Sequence, residues 1–131
     1  MPVRSLNLSV LKWPDLSEVV SSLDKWVKKV LKIRSDIVRI GYFGSYARGD
    51  WGVGSDLDLI VVVKESDKPF YERSDEWDVM DIPVPVDLLI YTSKEFVKLQ
   101  AEQSGFYKQL EKEVVWLYPV EDKTYNVQLH V

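Results

Sequence analysis

The sequence predicts a small α/β (α+β) protein in which a mixed β-sheet is flanked by helices. Two short apolar runs rich in β-branched residues, Ile37–Phe43 and Leu59–Val63, have the length of buried strands. A third run, Val84–Tyr91, begins beside prolines, which are tolerated at strand starts. Amphipathic segments precede and follow these runs, and strands that alternate with helices favour a sheet covered by helices.

The first helix is predicted from its start signal and its periodicity. Asp15 is a suitable N-cap, and Glu18 three residues later completes a capping box. Apolar residues then recur with a period near 3.6, which predicts one buried face that includes Trp26. They are Leu16, Val19, Val20, Leu23, Trp26, Val27, Val30 and Leu31.

Weaker signals predict the remaining elements. Thr92 and Glu95 form a second capping box and predict one long helix to about Lys112, with Gly105 as its weak point. The other predicted elements are an N-terminal arm or edge strand over 3–11, a short helix over 46–49, a second strand over 56–63, a helix over 70–80, a last strand over 114–118 and a tail over 119–131.

Length and composition exclude several classes of protein. A chain of 131 residues predicts a single domain, and 46% hydrophobic with 29% charged residues is typical of a globular protein. The chain has no cysteine, and its one histidine, His130, lies beside the C-terminus, so thiol chemistry and histidine acid–base catalysis are not expected.

No apolar run is long enough to span a membrane and no signal peptide is visible, so we expect a cytoplasmic protein. The net charge of −4, with scattered basic residues, argues against binding to long nucleic acid.

The most informative stretch runs from Gly41 to Leu59. A Gly44-Ser45 turn follows the first strand, and such a strand–turn–helix junction presents free backbone N–H groups that suit a phosphate. Asp56 and Asp58 enter the second strand at a spacing of two, so their carboxylates point to the same face. Because two like charges on one face repel each other, this pattern indicates a cation between them.

Asp87 is the most unusual residue in the rest of the chain. It lies inside the apolar third run, where an unpaired carboxylate would be costly. If the second and third strands are neighbours, Asp87 converges with the two aspartates of the second strand.

Two common phosphate-binding motifs are absent. No Gly-Lys-Ser/Thr tripeptide follows the glycines, which excludes a Walker loop, and Gly52-Val-Gly54 lacks the third glycine of a dinucleotide fingerprint. The remaining pattern is Gly44-Ser45, ten residues, and then Asp56-Leu-Asp58, with Arg48-Gly49 between them and Asp87 beyond. In this pattern the sequence resembles the nucleotidyltransferase superfamily related to DNA polymerase beta, and in particular its minimal, single-domain MNT-type members. The resemblance is close over 41–63 and loose over 84–91.

The resemblance implies a polymerase-beta-like fold and a role for each matching residue. Asp56, Asp58 and Asp87 would be the catalytic residues and would hold Mg²⁺, two ions in this family. Gly44 and Ser45 would bind the nucleoside triphosphate, and Arg48 would either contact a phosphate or form a salt bridge nearby. Oxygen ligands without histidine or cysteine agree with the preference of Mg²⁺.

The resemblance also implies substrates and partners. It points to transfer of AMP from ATP onto a hydroxyl, namely a tyrosine of a helical HEPN toxin, with this chain as the antitoxin. Two alternatives stay open: a non-catalytic nucleotide-binding antitoxin, and a transferase that acts on a small molecule such as an aminoglycoside. The aspartates could also be helix caps or solvated strand ends, Trp51 could stack on a base or be an ordinary loop residue, and homo-oligomer formation is left open.

Overall fold

The protein contains one four-stranded sheet in the computed structural model, which describes residues 13–120. The strand order is β3-β2-β1-β4; β1 is antiparallel to β2 and β4, and β2 is parallel to β3. The predicted mixed sheet flanked by helices is therefore confirmed. In chain order the elements are α1 Leu16–Ile33, β1 Ile37–Phe43, α2 Ser45–Arg48, β2 Leu57–Val63, α3 Phe70–Arg73, a 3₁₀ turn Ser74–Glu76, β3 Val86–Thr92, α4 Ser93–Glu102, α5 Gly105–Glu113 and β4 Val115–Tyr118.

The sheet has a packed core on each face because the residues of β2 alternate between the two faces. On one side, α1 buries its apolar face against the odd-numbered residues of β2, and Trp26 is only 1% exposed. On the other side, α4 and α5 cover the even-numbered residues Ile60 and Val62. Asp58 belongs to this second set of β2 residues, so it lies on the face that α4 and α5 cover.

Both predicted capping boxes are present. The Asp15 carboxylate accepts from the Glu18 N–H at 2.9 Å, and the Glu18 carboxylate accepts from the Asp15 N–H at 3.1 Å. Thr92 and Glu95 make the same reciprocal pair at the start of α4. These caps satisfy backbone donors that a helix start otherwise leaves unpaired.

The helix predicted over 70–80 is wrong over its last part, because the helical conformation ends at Glu76. Only α3 and the 3₁₀ turn are helical, and Trp77 already has an extended backbone. The reason is tertiary packing: Trp77 is buried against Trp26, and the Trp26 indole N–H donates to the Asp78 carbonyl at 2.7 Å. The buried Trp26 indole N–H needs an acceptor, and the extended chain after Glu76 supplies one in the Asp78 carbonyl.

The single helix predicted from Thr92 to about Lys112 is two helices, α4 and α5. Gln103 adopts the left-handed conformation, with φ of 50°, and its N–H closes α4 on the Leu99 carbonyl. Ser104 then begins α5 by accepting from the Tyr107 N–H at 3.1 Å. The break thus comes from a C-cap followed directly by an N-cap, just before the glycine that marked the weak point.

Two predictions fall on residues that the structure does not describe: the N-terminal arm or edge strand over 3–11 and nearly all of the tail over 119–131. The last strand, predicted over 114–118, is confirmed as β4. Within residues 13–120, no helix combines the length and the apolar character needed to span a bilayer.

Candidate active site

The parallel pairing of β2 and β3 brings two of the three predicted aspartates together. Asp58 lies directly opposite Asp87 in the register, so both side chains point to the same face of the sheet from strands that are hydrogen-bonded neighbours. The condition on which the predicted convergence depended, that the second and third strands be adjacent, is met. Asp56 precedes β2 by one residue and is exposed, as is Asp87, whereas Asp58 is half-buried.

The electrostatics of Asp58 reflect this crowding of carboxylates. Burial, followed by the negative charges of Asp87 and Asp56, raises the pKa of Asp58 from 3.8 to about 6. Arg48 acts in the opposite direction, and Glu113 adds further negative charge. The ionised form of Asp58 is therefore less stable here than in water, and a cation at the site would stabilise it.

Gly44 connects the predicted phosphate-binding turn to these carboxylates. It has φ of 77° and ψ of −154°, a backbone region that is nearly exclusive to glycine. A Cβ atom at this position would lie 2.0 Å from Oδ2 of Asp58, so only a residue without a side chain lets the turn approach that carboxylate. The pairing of Phe43 with Asp58 across β1 and β2 fixes this approach.

Glu113, at the end of α5, is a site residue that the sequence analysis missed. Its Oε1 accepts from the Gly44 N–H at 2.9 Å, and its Oε2 accepts from the Arg48 guanidinium at 3.1 Å. Gln109 also donates to Oε2, and the Glu113 side chain is only 6% exposed. The Gln109 hydrogen bond is the largest of several contacts that hold the pKa of Glu113 below its usual value.

Arg48 has carboxylate partners on two sides. Besides Glu113, its Nε donates to Asp50 at 3.1 Å, and its side chain is 44% exposed. The salt bridges of Arg48 are thus observed, and they use two of the five N–H donors of its guanidinium.

A cleft of about 400 Å³ opens beside Asp58. One wall is the end of β1 with the Gly44 turn, and the other is a single face of α5, because residues three, four and seven positions apart on a helix lie on one side. The lining residues are Phe43, Gly44, Arg48, Asp58, Phe106, Gln109, Leu110 and Glu113.

The donor chemistry at this edge of the sheet fits Mg²⁺, which prefers carboxylate oxygens. Asp58 and Asp87 supply two carboxylates from paired positions, and burial together with the negative charges of Asp87 and Asp56 raises the pKa of Asp58. Over residues 13–120, however, no three acidic, histidine or cysteine side chains are already gathered as a cation site. Completing one would require the exposed side chains of Asp56 and Asp87 to change rotamer, a fast motion for exposed residues.

Trp51 has an ordinary structural role in the loop before β2. Its ring stacks on Tyr46 with centroids 5.3 Å apart and planes 10° from parallel. The indole of Trp13 in turn donates to the Tyr46 hydroxyl at 3.0 Å. This stack ties the loop to the α1 side of the sheet and agrees with the loop-aromatic interpretation.

Two curated proteins are similar in sequence to part of this chain. Two proteins of Methanocaldococcus jannaschii, each named "putative protein adenylyltransferase", are 39% identical over 51 residues and 40% identical over 58 residues. These matches cover 39% and 44% of this chain, and 50% and 57% of the relatives. The chain thus spans about half the length of the curated relatives it matches.

Solved structures share the fold over most of the chain. A structure of a "putative nucleotidyltransferase" from Sulfolobus solfataricus aligns with a TM-score of 0.58 at 20% identity, covering 81% of this chain and 85% of that one. A chain from a crystal structure of a toxin–antitoxin with AMP-PNP aligns with a TM-score of 0.50 at 19% identity, covering 80% and 82%. At these identities the likeness concerns the fold, and it agrees with the predicted nucleotidyltransferase architecture.

A family model extends the assignment beyond the central motif. The model described as "Nucleotidyltransferase domain" matches residues 24–128, which include the Gly44-Ser45 turn, all three aspartates and Glu113. The resemblance predicted from a Gly-Ser turn and an Asp-x-Asp pair is therefore confirmed, and the chain belongs to the nucleotidyltransferase domain family.

Proposed function

We propose that the protein is a Mg²⁺-dependent nucleotidyltransferase that moves AMP from ATP onto a hydroxyl group. The observation that carries the proposal is the pairing of Asp58 with Asp87, directly against a turn whose Gly44 has no room for a side chain. Nucleotidyl transfer requires little covalent chemistry from the protein, because positioning and charge neutralisation do most of the work. This end of the sheet would position the substrate, and Mg²⁺ held by its carboxylates would neutralise the phosphates.

The aspartates would have distinct roles in this site. Asp56 and Asp58 would hold the metal ions that carry the triphosphate, and Asp87 would hold the ion beside the acceptor. Mg²⁺, when bound, neutralises charge on the phosphates and aligns the attacking and leaving oxygens. Asp87 is exposed at the mouth of the site, where it could also accept the proton of the acceptor hydroxyl.

The Gly44 turn would bind the phosphates. The Gly44 N–H already binds a carboxylate oxygen, so it is a donor that an anion can reach. The Ser45 hydroxyl and the Arg48 guanidinium lie on the same short helix and would extend this contact to the β- and γ-phosphates.

The reaction would be an in-line displacement at the α-phosphorus. The acceptor oxygen forms a bond to this phosphorus while the bond to the bridging oxygen of the β-phosphate breaks, and pyrophosphate leaves with that electron pair. The hydroxyl proton passes to the Asp87 carboxylate and then to water. AMP thereby becomes joined to the acceptor through a phosphodiester bond.

We propose a tyrosine of a HEPN-type helical protein as the acceptor, which makes this chain an antitoxin of a toxin–antitoxin pair. The names of the two archaeal relatives support a protein acceptor, and the toxin–antitoxin structure with AMP-PNP supports testing a toxin first. Minimal members of the family are commonly encoded beside such proteins. The described residues contain no separate helical domain that would hold a nucleic-acid primer or an antibiotic.

The experiment mixes the purified chain with MgATP and a purified HEPN-type protein as the proposed partner, and follows the mass of the intact partner. We expect an added AMP on the partner with the wild type and none with Asp58→Asn. Asp75→Asn is the matched control, since Asp75 is an exposed carboxylate outside the site. It should modify the partner at the wild-type rate.

Other outcomes identify the alternatives. A partner that stays unmodified and is nevertheless inhibited would contradict catalysis and favour a non-catalytic antitoxin. Transfer of labelled AMP to an aminoglycoside, without transfer to the partner, would favour a small-molecule transferase. Peptide mapping of a modified partner tests the tyrosine, because the AMP would be found on another residue if the acceptor is wrong.

A further inference from the structure

The donors assigned to the nucleotide phosphates already bind an anion that belongs to the chain itself. One Glu113 oxygen accepts from the Gly44 N–H at 2.9 Å, and the other accepts from Arg48 at 3.1 Å. A carboxylate with two oxygens on a backbone N–H and a guanidinium makes the same kinds of charge-assisted hydrogen bond that a phosphate would make.

The contact is built into the fold rather than made by a loose surface side chain. Glu113 is the last residue of α5, and its carboxylate is only 6% exposed. Gln109, one helical turn earlier, donates to Oε2 of Glu113, the oxygen that also accepts from Arg48. Phe106, near the start of α5, lies on the helix face that lines the cleft. It packs edge-on against Phe43 with ring centroids 6.0 Å apart and so holds that end of the helix against β1.

We propose that Glu113 is an internal occupant of the phosphate-binding turn, which a nucleoside triphosphate must displace before it can bind productively. The inference rests on the proposed function, because it concerns the nucleotide of that same site. Glu113 thereby sets the nucleotide affinity: the turn is available only in the fraction of molecules in which Glu113 has moved away, and the apparent affinity falls by that fraction.

The charge of Glu113 works in the same direction as its hydrogen bonds. It adds a carboxylate close to Asp58, whose ionised form is already disfavoured by Asp87 and Asp56. A triphosphate that enters beside these groups meets repulsion from Glu113 as well as competition for Gly44 and Arg48. Gln109 lies one turn earlier on the same helix, so its amide would stay within reach of Glu113 after the carboxylate leaves Gly44 and Arg48.

Affinity rather than turnover tests the inference. Isothermal titration calorimetry with MgATP, and separately with inorganic tripolyphosphate, should show Glu113→Ala binding each ligand on the order of tenfold tighter than the wild type, the size expected for loss of one competing charge-assisted contact. Tripolyphosphate has no base or ribose, so it reports on the phosphate contacts alone.

Two further variants make the result specific. Glu111→Ala removes a carboxylate from the exposed side of the same helix, and it should change affinity much less. Gln109→Ala keeps the charge of Glu113 but removes one of its three hydrogen-bond partners. It should therefore bind both ligands more tightly than the wild type does, but less tightly than Glu113→Ala. Circular dichroism at the titration temperature shows whether each variant is folded. If Glu113→Ala is unfolded, the affinity of Gln109→Ala is the measurement that tests the inference.

The outcomes separate this inference from the proposed function. If the wild type binds MgATP and Glu113→Ala binds it equally or more weakly, Glu113 is a strut that supports the turn, and the inference is overturned while the proposed function stands. If neither the wild type nor any variant binds MgATP, the proposed function fails and the inference fails with it.

Discussion

Replacing Gly44 with alanine tests how closely the turn and the carboxylates depend on each other. Gly44 has φ of 77° and ψ of −154°, and an added Cβ would lie 2.0 Å from Oδ2 and 3.0 Å from Cγ of Asp58. The alanine therefore meets two separate penalties. One is the strain of a backbone region closed to residues with a side chain, and the other is a collision that Asp58 relieves only by rotating away.

The size of the effect follows from these two penalties. Backbone strain in this region costs about 1–3 kcal/mol. The collision involves the end of a side chain rather than a backbone atom, so it should add about 1 kcal/mol, within the range of an off-rotamer side chain. A total of about 2–4 kcal/mol lowers the unfolding midpoint by roughly 3–5 °C per kcal/mol in a domain of this size. Because Asp58 must leave its position opposite Asp87, AMP transfer should be lost even in the folded fraction.

Two other glycines provide matched controls for thermal and urea unfolding. Gly49 has φ of 90° with nothing within 4 Å of an added Cβ, so Gly49→Ala has strain without a collision and should cost about 1 kcal/mol. Gly52 has neither feature, so Gly52→Ala should be close to neutral in stability and in AMP transfer. Equal losses of stability for Gly44→Ala and Gly49→Ala, with AMP transfer retained in Gly44→Ala, would refute the claim that Gly44 is required by its contact with Asp58.

Two further perturbations test the charges. Asp58 has an ordinary pKa of 3.8 and a folded-state pKa of about 6, so the stability linked to its protonated form is fully present below pH 3.8 and is lost as the pH rises through about 6. Asp58→Asn should therefore unfold at a higher temperature than the wild type at pH 7.5 in metal-free buffer, and this difference should shrink towards pH 4. Mg²⁺ should stabilise the wild type alone. A constant difference in unfolding temperature across this pH range would contradict the raised pKa of Asp58. Arg73 is 6% exposed and donates two hydrogen bonds to Glu95, whose side chain is 41% exposed and also caps α4. Glu95→Ala leaves the buried guanidinium with carbonyl acceptors only and removes the cap, so it should cost about 2 kcal/mol of unfolding free energy by urea denaturation. Removing Glu76, which pairs with Lys68 in an exposed salt bridge, should have little effect, and equal losses for both variants would contradict the importance of burial.

Local sequence signals predicted the elements whose causes are local. The start of α1 at Asp15 and the start of α4 at Thr92 each depend on residues within four positions, and both boxes form as expected. The strands follow from short β-branched runs that only a sheet interior accommodates. The break at Ser104 also had a local signal, an N-cap residue in front of Gly105, but the apolar periodicity on both sides suggested a continuous helix.

Predictions that depended on distant contacts failed or were not made. The region after Glu76 leaves the helical conformation because Trp77 and the Asp78 carbonyl contact Trp26, which precedes Asp78 by 52 residues. Glu113 contacts Gly44 across a sequence separation of 69, and nothing near either residue indicates the other. Asp87 was singled out because a carboxylate inside an apolar run is unusual, although its position opposite Asp58 depends on the strand order that the structure supplies.

The charges around Asp58 explain why this end of the sheet is not organised for stability. Three carboxylates, those of Asp87, Asp56 and Glu113, act against its ionised form, and the guanidinium of Arg48 favours it. Arg48 already forms salt bridges with both Asp50 and Glu113, so its positive charge is divided between these two carboxylates and Asp58. An arrangement of this kind lowers the stability of the free protein and is relieved when a cation binds, which is the trade-off expected where a site serves function rather than folding. The same imbalance bears on the proposed displacement of Glu113: its hydrogen bonds satisfy the turn, while its charge adds to a repulsion among carboxylates that a bound cation would relieve.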